Sequence, residues 1–196
     1  MNEINLREWE KLDYFNPEFI LRELKKIEIK YADAPIGQKV RNLRTNNLKA
    51  IREGREAALF CIGISKYMGK KVNFSPTEQS DFDFVVRWLE GDTMNYTPVQ
   101  LKELVPEHLN PVAELNHLLS KLIKYTDSSR LIVAIHINRT IHLDISALDV
   151  PKFKLAGLYT FASVSKDQKN WVLHGDLLGN IQETPFEYPD LLEEEK

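Results

Sequence analysis

A turn signal, Glu90-Gly91-Asp92, stands between two runs that read as β-strands, and this hairpin constrains the chain more than any other stretch. Phe82 to Leu89 carries Val85, Val86 and Trp88. Asn95 to Leu104 then alternates: Tyr96, Pro98, Gln100 and Lys102 share one face, and Thr97, Val99 and Leu101 share the other. Pro98 has no N–H to give a ladder, so its strand is expected to begin irregularly or at an edge.

The flanking segments say what kind of sheet the hairpin enters. A long helix is expected from about Val40 to Tyr67. Its second half, Ala57 to Ile64, is apolar all round, as in a helix passing into a core, and Gly69 is placed to cap it. Lys71 to Phe74 reads as a short strand. Asn110-Pro111 is expected to open another helix, with Leu115, Leu118, Leu119, Leu122 and Ile123 at helical spacing. Leu131 to Ile137 has the uninterrupted apolar character of a buried strand, and further β segments are expected at Leu155 to Val164 and Trp171 to His174. The acidic end, Leu191 to Lys196, reads as a loose tail. This order points to an α/β domain, a mixed sheet with helices on both faces, over residues 38–196. Residues 1–37 read as a helical arm, started by Asn16-Pro17-Glu18 and broken off at Ala34-Pro35-Ile36-Gly37. The arm is open to several roles: a cap, an accessory subdomain or a homodimer contact.

Charge and cysteine usage narrow the function. The formal net charge of −3 is not that of a protein that coats nucleic acid without specificity. A single cysteine, Cys61, makes no intramolecular bridge and no zinc cluster. With no apolar run near the roughly 20 residues that span a bilayer, a cytoplasmic protein is expected. There is no Gly-x-Ser-x-Gly and no Gly-rich phosphate loop. His136, inside the apolar run, reads as a sheet residue, and the pair His142 and Asp144 offers two ligands at most.

What remains is a set of polar residues that phosphodiester chemistry would choose. Hydrolysis of such a bond needs charge neutralised on the phosphate, a deprotonated water and a stabilised leaving oxygen. A hard divalent cation held by carboxylate, amide and carbonyl oxygens supplies much of this, and a lysine beside it can orient water or stabilise developing charge. Asp83 at the head of one strand, Gln100-Leu101-Lys102 on the next, and Glu56 on the preceding helix carry those groups. Asp81 is a rival to Asp83, and Glu53 is a rival to Glu56. Arg41, Arg44, Arg52 and Arg55 fall within an arc of about 80° on a regular helix, either a phosphate-contact stripe or a solvated face salted with Glu53.

Glu56, Asp83 and Gln100-Leu101-Lys102 resemble the motif set of the PD-(D/E)XK, or restriction-endonuclease-like, nucleases, over roughly half of the chain. Gln100 stands where most of that family has a second acid, and Phe82 where proline commonly precedes the aspartate. The resemblance implies an α-β-β-β-α-β core from about Val40 to Asn138. It also implies a magnesium- or manganese-dependent nuclease acting on nucleic acid, with DNA favoured over RNA. Asp83, Gln100, the Leu101 carbonyl and Glu56 would hold the metal, and Lys102 would act on the attacking water or the transition state. The alternative is the same fold without catalysis, serving as a nucleic-acid or protein binding module.

Overall fold

The computed structural model describes residues 3–41, 43–79, 81–125, 128–141, 144, 147–179 and 181–191, with the side chains of 3–5, 38 and 41 outside that description. Its centre is the helix α4 (Lys49–Met68). The apolar run expected to enter the core does so: Ala57 to Cys61 and Ile64 are all buried, Cys61 as a free thiol. Gly69 ends the helix at φ 64°, a left-handed conformation that costs glycine little. The start differs from expectation. Leu43 takes φ 55°, so no continuous helix can run from Val40, and the chain makes only the short α3 (Gln38–Arg41) and a 3-10 turn over Asn46–Leu48 first.

Among the described residues seven strands follow: β1 (Val72–Ser75), β2 (Phe84–Glu90), β3 (Thr93–Leu104), β4 (Ile132–Ile137), β5 (Gly157–Ser163), β6 (Asn170–Gly175) and β7 (Gln182–Glu187). They lie in one sheet in sequence order. β1, β2 and β3 form an antiparallel meander, β3, β4 and β5 run parallel, and β6 and β7 return antiparallel. α4 touches β1 and β3 as well as β6 and β7, so the sheet curls around it.

Alternation along the strands sorts side chains into two cores. Val99, Leu101, Ala134, Tyr159, Phe161, Trp171 and Phe186 pack on the α4 side, where Phe60 meets Phe84, Tyr159 and Phe161 edge-on or tilted. Val85, Leu104, Val133, Ile135 and Leu158 face the other way, onto α5 (Leu115–Ser120) and the 3-10 segment Lys121–Tyr125. A mixed sheet with helices on both faces is therefore what the chain builds. The two amino-terminal helices divide between the cores. Trp9 of α1 (Glu3–Trp9) joins the α5 side, and Leu21 of α2 (Pro17–Lys30) joins the α4 side. The Asn16 side chain caps α2 by accepting from the Glu18 and Phe19 amides.

Two further departures have local causes. The helix expected at Asn110-Pro111 begins only at Leu115, because Arg139 reaches back from the end of β4 to the carbonyls of Val105, Asn110 and Ala113. That guanidinium stabilises turns in place of a helical ladder. β7 lies where no strand is expected. Pro185 and its acidic neighbours obscure it, yet Thr184 and Phe186 point inward and the strand sits at the sheet's edge, where proline is tolerated. The expected tail beyond 191 lies outside the described residues. Among those residues, no helix is long and apolar enough to cross a membrane.

Candidate functional site

The strand residues singled out from the sequence meet where β2 and β3 begin to pair. The Asp83 amide donates to the Val99 carbonyl at 2.9 Å, which seats Asp83 just before β2. Its carboxylate then accepts two hydrogen bonds, from the Leu101 amide at 2.6 Å and from the Gln100 side-chain amide. Gln100 is buried, and its other end accepts from the Tyr125 hydroxyl at 2.9 Å. Lys102 lies on the same strand face, with its ammonium 5.9 Å from the centre of the Tyr125 ring. Asp81, the rival acid, is exposed, and no hydrogen bond of this network reaches it.

Glu53 and Glu56 separate clearly. Glu53 lies one turn from the start of α4, and its carboxyl is pushed up by burial, pulled down by Lys49 and pushed up again by Asp83 and Glu78. Lys49 bridges Glu53 at 3.4 Å and Glu78 at 3.5 Å. Glu56 does not join this cluster. It turns under α4, on the sheet face opposite Gln100 and Lys102, and its Oε1 lies 3.2 Å from Nδ1 of His136. Both side chains are almost wholly buried.

Around Glu56 stands a second constellation. Glu103 follows Val99 and Leu101 on the α4 face of β3, and both of its carboxylate oxygens accept from Arg44, one at 2.8 Å. Asn138 adds a third bond at 2.7 Å. Burial works to raise the Glu103 carboxyl, but Arg44 and Asn138 outweigh it and hold it below the ordinary glutamate value. His136 stacks on Phe161 with centroids 5.0 Å apart. One ligand atom each from Glu56, Glu103 and His136 lies within 4.8 Å of the others, a spacing at which three side chains could hold a metal ion. Arg44 already spends the Glu103 oxygens, so a cation there would have to displace a bidentate guanidinium.

Glu56, His136, Arg44 and Asn138 of this constellation line a cavity of about 560 Å³. The cavity opens outside the carboxyl ends of the three parallel strands: Pro106 follows β3, Asn138 and Arg139 follow β4, and Ser165 and Lys166 follow β5. That is where open α/β sheets commonly hold ligands, because the loops there splay apart. From the helix side come Arg44, Arg52, Arg55 and Glu56. Of the four arginines expected to form a stripe, three thus gather in one cavity, while the side chain of Arg41 lies outside the described residues. His142 lies outside them too. The Arg55 guanidinium donates to Gln168 at 2.8 Å and stands over the rings of Trp171 and Tyr188.

Sequence reasoning missed Glu103, although the signal was present, since the alternation that buries Val99 and Leu101 puts residue 103 on the same face. Tyr125 and Arg139 gave no such signal, because each acts across the fold on a partner distant in sequence. No family model, no curated protein and no solved structure matches this chain.

Proposed function

We propose that the protein is a divalent-cation-dependent phosphodiesterase acting on nucleic acid, DNA before RNA, at the cluster of Asp83, Gln100 and Lys102, with Glu53 in the place of Glu56 as its helix carboxylate. The observation that carries this reading is the junction itself: Asp83 bonded to Gln100 and the Leu101 amide, with Lys102 on the same face. The donor chemistry fits a hard cation such as Mg²⁺ or Mn²⁺, since the Asp83 and Glu53 carboxylates are oxygen ligands, while the Gln100 amide turns its nitrogen to Asp83 and its oxygen to Tyr125. When bound, such a cation would supply Lewis-acid polarisation of a phosphoryl oxygen.

The remaining roles fall to the chain's own groups. Asp83 is fixed by two donors and keeps its second oxygen for the cation. Tyr125 holds the Gln100 amide at its oxygen end, so the orientation of Gln100 is set from the α5 side of the sheet. Lys102 presents an ammonium on that face, suited to orient a water or to offset negative charge growing on the phosphoryl oxygens.

Plasmid, linear duplex and RNA incubated in Mg²⁺ or Mn²⁺ test the reading. Lys102→Ala and Glu53→Gln should each lower cleavage by about 10²-fold or more, the scale of losing one charged group at a transition state, and Glu56→Gln should retain it. Cleavage that survives Lys102→Ala sinks the assignment. One observation favours the same fold without catalysis: both ends of Gln100 are already spent, on Tyr125 and Asp83. In that case calorimetric titration with Mn²⁺ gives no heat that Asp83→Asn removes.

A further inference from the structure

The arginine-lined cavity on the α4 side is not used by the proposed chemistry, and its polar groups are unevenly satisfied. Arg139 is held by three backbone carbonyls. The Nε atoms of Arg52 and Arg55 are buried yet make no hydrogen bond, and the Glu28 carboxylate stands 3.9 Å from the second of them, too far for one. A buried donor left unpaired costs on the order of 1–3 kcal/mol, and guanidinium groups are seldom left so unless something else accepts from them.

Charge gives the class of acceptor. Five cationic side chains, Arg44, Arg52, Arg55, Arg139 and Lys166, line the cavity. Glu103 neutralises Arg44 from behind, and Glu28 and Glu56 offset two more, which leaves an excess of two positive charges. That excess matches the dianion of a phosphate monoester. Guanidinium forks match phosphate oxygens in geometry, and the volume of about 560 Å³ lies within the range of sites for nucleotide-sized ligands. Trp171 adds an aromatic wall. We infer that this cavity is a binding site for a terminal phosphate monoester, carried by a mononucleotide-sized ligand or by the end of a nucleic-acid strand, with Arg52 and Arg55 as the phosphate donors.

The inference stands apart from the nuclease reading and is tested separately. Full-length protein is titrated by calorimetry with inorganic phosphate, 5′-AMP, adenosine, and an oligonucleotide with and without a 5′-phosphate. Phosphate and 5′-AMP should bind saturably and adenosine should not. Preference for the 5′-phosphorylated oligonucleotide over 5′-AMP assigns the source as a strand end, and the reverse assigns a free nucleotide. Arg52→Gln should weaken 5′-AMP about tenfold, the value of one charge-assisted hydrogen bond, whereas Glu56→Gln should tighten it by removing a repulsive charge. Three results overturn the inference: no saturable binding of any phosphate probe, an affinity indifferent to Arg52→Gln, or equal losses in Arg52→Gln and Glu56→Gln.

Discussion

Replacing Arg44 with methionine removes the partner that holds Glu103 and leaves that carboxylate beside Glu56 with Asn138 alone. The side chains of Arg44 and Glu103 are only 16% and 13% exposed, so little water can take the arginine's place. Breaking a fully buried pair costs about 3–5 kcal/mol; with a remaining hydrogen bond and a partly open site, about 2–3 kcal/mol is expected here. For a chain of this size that lowers Tm by roughly 4–12 °C. The pH dependence carries more information than the size. In the native protein the Glu103 carboxyl is depressed, so the stability it contributes is complete above the ordinary glutamate value of 4.5 and fades as pH falls through the depressed one. Without Arg44, burial, the largest influence on the carboxyl, loses its main counterweight and shifts it toward the protonated form, with Asn138 still opposing. The penalty of Arg44→Met should therefore be largest at pH 7 and shrink toward pH 4, where Glu103 can take up a proton. Urea unfolding at both pH values measures this, and adding Glu103→Gln to the variant should recover more than half of the loss at pH 7. A penalty that is flat with pH, or below about 0.5 kcal/mol at pH 7, as at an ordinary surface position, would refute the argument that the pair is held in a desolvated site.

Two further outcomes test other contacts. Tyr125→Phe removes the hydroxyl that Gln100 accepts from and leaves a buried amide oxygen unpaired, which should cost about 1–3 kcal/mol in urea unfolding; a neutral result would mean that water reaches Gln100. In Gly63→Ala, the new methyl would stand 3.0 Å from a Phe186 ring carbon and 3.2 Å from the Leu173 Cβ. Crowding of about 1–3 kcal/mol then outweighs the helix-propensity gain of up to about 1 kcal/mol, so the variant should melt lower, and a higher Tm would show that β6 and β7 give way.

Local rules carried the reading of the sequence where one element alone decides the outcome. The β2–β3 hairpin follows from alternation on both sides of Glu90-Gly91-Asp92, and it puts Gln100 and Lys102 on one face as expected. The buried half of α4 follows from its unbroken apolar composition. The reading fell short where distant partners decide. Arg139 captures carbonyls that a helix after Pro111 would have used, and Leu43 breaks a pattern that periodicity alone would carry through. In the same way, helical spacing puts Glu56 nearer the buried side than Glu53, but cannot say which sheet face that side meets. Strand order decides it, by laying His136 and Glu103 beneath Glu56 while Glu53 stays with Lys49. The two acids of one helix thus serve different clusters, a result of three-dimensional pairing that spacing does not encode.

A sheet whose strands lie in the order they are written, curled around a helix that precedes them all, also sets a schedule for synthesis. Each strand can pair with its predecessor as it leaves the ribosome, so the ladder grows without waiting. The helix cannot be finished that way. Gly63 rests against Leu173 of β6 and Phe186 of β7, residues translated long after it. A nascent chain stalled before β7 would carry α4 with one wall missing, its apolar flank open to chaperones or to other chains. Closure of the α4 core therefore waits for β7, and a carboxyl-terminal truncation reaching β7 should damage α4 more than any strand beside the cut.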